Sequence, residues 1–307
     1  MSGCPLFRGK INLDSTDFAI HGRQEGRFFH GYYDQHCYLP LYIFSGDHLL
    51  CARLRRSNID GAKGSAEEIA RIVAQLRSRW SRVKITLRAD SGFCRDELLS
   101  WCEANGVDYV IGLARNERLV ALIQVELGLA QMNFAGSGEA ARVFKELEYR
   151  TLDSWTRMRR VVAKAEHLAG KDNPRFVVTS LSQDEIDARA LYEDLYCARG
   201  EMENRIKEQQ LDLFAGRISA QTMAANQVRL SFASIGYTLM HALRRLGLSG
   251  TGLERAQCGT IRTRLLKIGA RIKVSVRRVW ISLSEAFPLQ DVFALVLDRL
   301  RSPPRPA

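Results

Sequence analysis

Apolar and polar side chains alternate at the start of the chain, Ile11 and Leu13 against Asn12 and Asp14. A period of two predicts a strand with Asp14 on its polar face. Residues 28–44 are dense in aromatic and β-prone side chains, Ser45-Gly46-Asp47 supplies a turn, and residues 48–55 continue as a strand. Together these segments predict an antiparallel meander. Ser65 and Glu68 have the spacing of a capping box, and Ile69, Ile72, Val73, Leu76 and Trp80 recur at helical intervals, so a helix follows. Residues 83–90 read as a strand ending in Asp90, with Ser91-Gly92 turning the chain. Residues 96–104 form a helix stopped by Asn105-Gly106, and residues 108–114 a further strand. The predicted order is β-β-β-α-β-α-β.

The pattern then changes. A short helical piece spans residues 119–127, glycines occupy 136 and 138, and three strands are predicted at 141–150, 158–166 and 175–180. Residues 184–210 contain no proline and only Gly200 as a weak point, which predicts one long helix. At uniform helical pitch Tyr196, Arg199, Glu203, Lys207 and Gln210 share one face. Two readings of that face stand open: a solvated surface laced with ion pairs, or a carboxylate suited to a hard divalent cation flanked by groups suited to phosphate. A second long helix spans 218–245. Residues 255–284 hold eight Lys and Arg and no acid. There Ile272, Val274 and Val276 alternate with Lys273, Ser275 and Arg277, predicting a half-buried strand whose basic face suits a phosphate backbone or a plain surface hairpin. An amphipathic helix over 287–301 and a proline-rich tail complete the chain. The expected organisation is a catalytic core begun in 1–116, a β-rich insertion over 117–182, a second part of the core over 183–250 and a basic C-terminal region over 251–307.

Composition narrows the partners. The 307 residues carry a formal net charge of +11 and a pI near 9.5, so a polyanion or an anionic membrane surface is the expected partner class. No run of about eighteen apolar residues exists, and the first residues lack a signal-peptide core, so a cytoplasmic protein without a membrane span is expected. The seven cysteines are scattered and contain no C-x-x-C pair, which predicts reduced thiols rather than disulfides or zinc. The histidines lack H-E-x-x-H spacing. No dinucleotide, P-loop or nucleophile-elbow motif is present, which argues against a metabolic α/β enzyme.

The element order draws three acids together. A three-stranded meander followed by alternating helices and strands sets the first and fourth strands side by side in a mixed sheet, where a helix laid across can converge on Asp14 and Asp90. Asp14, Asp90 and Glu203 could not all stay ionised at one point without a divalent metal. Two ions about 4 Å apart would serve an in-line phosphoryl displacement.

The motifs Leu13-Asp14-Ser-Thr16-Asp17, His21-Gly22, Phe28-Phe-His-Gly-Tyr-Tyr33, Tyr38-Leu-Pro-Leu-Tyr42, Arg88-Ala-Asp90-Ser-Gly-Phe93 and Tyr196-x-x-Arg199-x-x-x-Glu203-Asn-Arg-Ile-Lys-Glu, in this order, resemble bacterial insertion-sequence transposases with a DDE triad. The resemblance covers roughly residues 11–301. It implies an α/β, ribonuclease H-like mixed sheet flanked by helices, with a β-rich insertion before the last catalytic helix. It implies catalytic, metal-binding Asp14, Asp90 and Glu203, with Asp17 competing for the first position, and Mg²⁺ or Mn²⁺ as cofactor. Tyr196 and Arg199 would contact phosphates. Related enzymes carry a lysine seven residues past the glutamate, where this chain has Gln210, and Lys207 is the alternative source of that charge. The implied partners are double-stranded DNA, as terminal inverted repeats and target, and a second copy of the chain, acting at the nucleoid. Only thirteen residues precede Asp14, so the resemblance further implies a copy lacking the usual N-terminal region. A DNA-binding remnant without activity is the alternative function.

Overall fold

The computed structural model describes residues 8–301, with two compact units: Met1–Asp17 with Gly26–Glu203, and Phe18–Glu25 with Asn204–Ala307. The first is built on a nine-stranded mixed sheet. Its central strand, Arg8–Ser15, pairs parallel with Lys84–Ala89 on one side and antiparallel with Leu41–Ser45 on the other. His48–Arg53 lies outside Leu41–Ser45, and Asp108–Leu113 runs parallel beyond Lys84–Ala89. The meander and the two parallel strands thus take the ribonuclease H-like arrangement, with first and fourth strands adjacent. The strands Ala141–Tyr149, Arg159–Leu168 and Arg175–Thr179 extend the same sheet, Arg175–Thr179 pairing antiparallel with Asp108–Leu113.

Strand alternation divides the core between two faces. Ile11, Leu13, Ile85, Leu87, Tyr109, Ile111, Val161 and Val178 share one cluster with Ile69, Ile72 and Leu99 of the helices Ser65–Arg79 and Asp96–Ala104. On the other face, Val110, Val162 and Val177 pack against Leu191 and Tyr192.

Several local expectations are corrected. Residues 28–44 do not make one strand: Phe28–His30 and Gln35–Tyr38 form a hairpin reversing through Asp34, whose φ is 51°. Pro40, which has no N–H for a ladder, separates that hairpin from Leu41–Ser45. The capping box does not form. Gly64 occupies the cap position, the Ser65 hydroxyl donates to the Ala62 carbonyl, and Glu68 pairs with Arg53 and Arg71. The short helical piece at 119–127 is two helices, Glu117–Ala121 and Gln124–Ser137.

The long helix over 184–210 is corrected as well. Asp187 caps the run by accepting from the Arg189 and Ala190 amides, and the pitch then changes repeatedly: α over Ala188–Ala190, π over Leu191–Tyr196, 3₁₀ over Cys197–Arg199, α over Gly200–Lys207 and π over Glu208–Asp212. Each helix type turns by a different angle per residue, so Tyr196 and Arg199 do not stay in phase with Glu203 as uniform pitch requires.

In the second unit, Glu208 is buried between Arg205 and Arg244, at 2.7 and 2.8 Å, and accepts from the Cys258 amide. Asp212 accepts from the Gly259 amide at 2.7 Å. The helix Met223–Leu246 buries Leu230, Tyr237, Met240 and Arg244, and Gln290–Arg301 forms the last helix. The basic segment is a two-stranded hairpin, Ala270–Val274 with Val279–Leu283, every residue of which is exposed, so the expected half-buried strand is corrected too. The proline-rich tail and Cys4 lie outside the described residues. Cys37, Cys51, Cys94, Cys102, Cys197 and Cys258 are free thiols.

Candidate functional site

Parallel pairing matches Arg8 with Lys84 and ends with Asn12 opposite Arg88. Asp14 and Asp90 each follow two residues after that last pair, at the carboxyl ends of two adjacent central strands. Asp14 is the second-last residue of its strand, whereas Asp90 has just left its own and folds back to accept from the Gly92 amide at 2.9 Å. Both are half-buried.

Beneath this pair lies a buried polar connection. Arg88 Nε donates to Asn12 Oδ1 at 2.7 Å, and Arg88 Nη1 donates to the Leu195 carbonyl at 2.8 Å. Two residues apart on a strand means one face of the sheet, so Asn12 lies on Asp14's side and Arg88 on Asp90's. One guanidinium therefore ties both acid-bearing strands to the helical run above. It also occupies a carbonyl inside that run, where the pitch changes, as an inserted side chain does when it disturbs a helical ladder.

Tyr33, reaching in from the hairpin, responds to the acids. Burial, then the charges of Asp17 and Asp14, then Tyr32 and Asp90, push its phenol up to about 12. Its hydroxyl donates to the Ser15 carbonyl at 3.5 Å. Asp17 itself lies past the strand end and accepts from Gln35. Of the two candidates for the first position, Asp14 is the one that lies on the strand paired with Lys84–Ala89.

Gly112 continues the row, because Ala89 pairs with Ile111. A Cβ there would stand 2.6 Å from the Tyr196 hydroxyl, 2.9 Å from the Ser91 amide nitrogen and 3.3 Å from the Asp90 carbonyl carbon. Glycine is what lets Tyr196 and the Asp90 turn close on this strand. Beside them opens a cavity of about 340 Å³ whose lining includes Ser91, Arg115, Asn173, Arg175 and Tyr196, and no acid.

The remaining predicted residues are distributed differently. Glu203 and Lys207 are exposed on the Gly200–Lys207 helix, whose buried positions are Met202 and Ile206. Gln210 is half-buried on the following π segment. The Arg199 side chain lies outside the described residues. Lys273 stands across from Trp280 on the exposed hairpin, and Arg277 lies in its turn. Among the described residues no group of three or more His, Cys, Asp or Glu side chains is placed to hold a metal ion. The two aspartates offer carboxylate oxygens, the donor chemistry that suits a hard cation.

Sequence reasoning passed over Asn12, Tyr33, Arg88 and Gly112. For Asn12 and Arg88 the available signal was the spacing, a polar residue two positions before each aspartate.

No helix among the described residues is long and apolar enough to cross a membrane. Among curated proteins no sequence match is found. In structure the chain is similar to a piggyBac transposase in a synaptic complex with hairpin DNA, at 10% identity and a TM-score of 0.41, over 80% of this chain and 50% of that one. The chain thus spans about half the length of that neighbour. A family model described as transposase DDE domain group 1 matches residues 10–305, nearly the whole chain, and the protein accordingly belongs to the DDE transposase family.

Proposed function

We propose that this chain acts as the transposase of a bacterial insertion sequence, hydrolysing phosphodiester bonds at the element's ends and joining the released 3′-hydroxyl to target DNA. The observation that supports this reading is the parallel pairing of the two strands that carry Asn12 and Arg88, two residues before Asp14 and Asp90, beside a tyrosine whose phenol responds to both acids. Asp14 and Asp90 would hold Mg²⁺ or Mn²⁺, two ions in the full site, with Glu203 completing the set from its helix. Such ions, when bound, supply Lewis acidity at the phosphate and lower the pKa of the attacking water.

The chain's own groups do the rest. Arg88 fixes the spacing of the two acid strands under the helix. Tyr33 stays protonated at neutral pH and can donate a hydrogen bond beside the carboxylates. Tyr196, with Arg115 and Arg175, offers a phosphate-accepting wall next to Asp90. Arg199, Lys207, Gln210, Lys273 and Arg277 are the further DNA contacts, and joining two ends requires a homodimer on double-stranded DNA at the nucleoid.

The test is divalent-metal-dependent nicking of supercoiled DNA carrying the element's ends. Asp14→Ala, Asp90→Ala and Glu203→Ala should each abolish nicking and leave DNA binding intact; nicking that survives one of them removes that residue from the site. Arg199→Ala should weaken binding and flatten its salt dependence by about one counterion. The exposure of Glu203 favours one competing reading, an inactive DNA-binding remnant, and binding without nicking by the wild-type chain would establish it.

A further inference from the structure

The helix Met223–Leu246 carries two apolar faces. One, with Leu230, Tyr237 and Met240, is buried. The other is solvent-facing: Val228 is 53% exposed, Phe232 70%, Ile235 55% and Leu239 65%. With Ala225, Ala242 and Leu246 these residues follow a strict three-four spacing along the whole helix. A helix packed on a globular core uses a broader stripe, whereas this narrow seam is the pattern of two helices interdigitating along their length.

The flanks of the seam suit burial against an identical surface. From Leu230 to Leu243 the helix has no Asp, Glu, Lys or Arg. Its hydroxyls are satisfied within the helix: Ser231 donates to the Gln227 carbonyl, Ser234 to Leu230 and Thr238 to Ser234, at 2.9 Å each. Covering them therefore strands no polar group. The charges near its ends, Arg229 and Arg245, meet no like charge across the seam in either a parallel or an antiparallel pairing. The apolar surface offered by two copies is on the order of 1,000 Å², the floor for a specific interface, and an uncovered patch of this kind marks an interaction site.

We propose that the Met223–Leu246 helix pairs with the same helix of a second copy of this chain along the seam Ala225, Val228, Phe232, Ile235, Leu239, Ala242 and Leu246. This deepens the homodimer of the proposed function by giving it a surface, and it needs neither DNA nor metal to form.

Sedimentation of the purified full chain, free of DNA and of divalent metal, tests it. The wild type should sediment as a dimer at low micromolar concentration. Phe232→Glu/Leu239→Glu should be monomeric. Phe232→Ala/Leu239→Ala should raise the dimer dissociation constant at least about 100-fold with an unchanged circular-dichroism spectrum. The alanine pair keeps the test decisive should the charged pair misfold, because both side chains are mostly exposed and their truncation opens no cavity. A wild type that stays monomeric, its seam covered by the rest of its own chain or by another protein, overturns the proposal. So does a dimer whose affinity the alanine pair leaves unchanged. Nicking assayed in parallel separates the two readings: a dimer that never nicks sinks the transposase activity and leaves the seam, while nicking by a monomer does the reverse.

Discussion

Between Ile186 and Leu195 the chain is held to the sheet by cations reaching out of it, whereas from Gly200 to Lys207 the helix, among its described side chains, buries Met202 and Ile206 and exposes Glu203. In the first stretch Arg160 donates to the Ile186 carbonyl, Arg142 pairs with Glu193 at 3.2 Å, the Lys164 ammonium lies over the Tyr192 ring and Arg88 takes the Leu195 carbonyl. The acids divide along the same line. Asp14 is fixed by strand register, which cannot shift by one residue without turning every side chain to the other face, and Asp90 by the turn in which it accepts from the Gly92 amide. Glu203 depends on the pitch of a helix that changes just before it. Two carboxylates of the proposed site are thus preorganised, and the third is free to be set by whatever binds there.

The largest expected effect lies at the anchor. Arg88→Met leaves Asn12 Oδ1 and the Leu195 carbonyl buried without their donor and should cost about 3–4 kcal/mol in denaturant unfolding at pH 7. A cost below about 1 kcal/mol would mean that Arg88 does not tie helix to sheet.

Next comes Glu166, which joins the sheet to the same stretch through Arg142. Burial pushes its carboxyl up, but hydrogen bonds from Lys164, Arg142 and Asn173 prevail and hold it down at about 2. A depressed carboxylate stabilises the fold above the unfolded value, near 4.5, and that contribution fades as pH falls to about 2. Glu166→Gln should therefore cost about 3 kcal/mol at pH 7 and almost nothing at pH 2, read from urea melts across that range. An equal cost at both pH values would refute the ionic origin.

Gly112→Ala should cost about 2 kcal/mol and slow nicking by about tenfold, since its Cβ meets the Ser91 amide as well as Tyr196. Adding Tyr196→Phe should recover only part of the loss, because the backbone contact stays. Full recovery would make the tyrosine alone the obstacle.

The smallest effect on stability belongs to the helix side. Glu203→Gln should change the unfolding free energy by less than about 0.5 kcal/mol, as expected of an exposed position, while nicking is lost. A large destabilisation would show that Glu203 is a structural residue and dissolve the contrast between the two halves.

Much of this molecule was legible in its residues. Alternation and helical spacing are local properties written at periods of two and 3.6, so the strand with Asp14, the strand ending at Asp90, the three later strands and the helix carrying Glu203 follow from the sequence. Their order also put the first and fourth strands side by side. Three things depended on partners distant in the chain. The hairpin within residues 28–44 is hidden because its aromatics suit any extended segment. The pitch changes at 191–199 arise where a guanidinium from residue 88 enters the helix. The Glu208 pair with Arg244 spans 36 residues, so a glutamate that reads as one more charge on a solvated face is buried. The sequence by itself determined which residues are strand, which are helix and where acids and cations fall along them. Only the tertiary structure decided that Asn12, Arg88 and Leu195 form one connection, that Gly112 is the gap Tyr196 fills and that Glu203 is exposed while Asp14 and Asp90 are half-buried. Register and burial depend on which surfaces meet, and no periodicity along the chain encodes that.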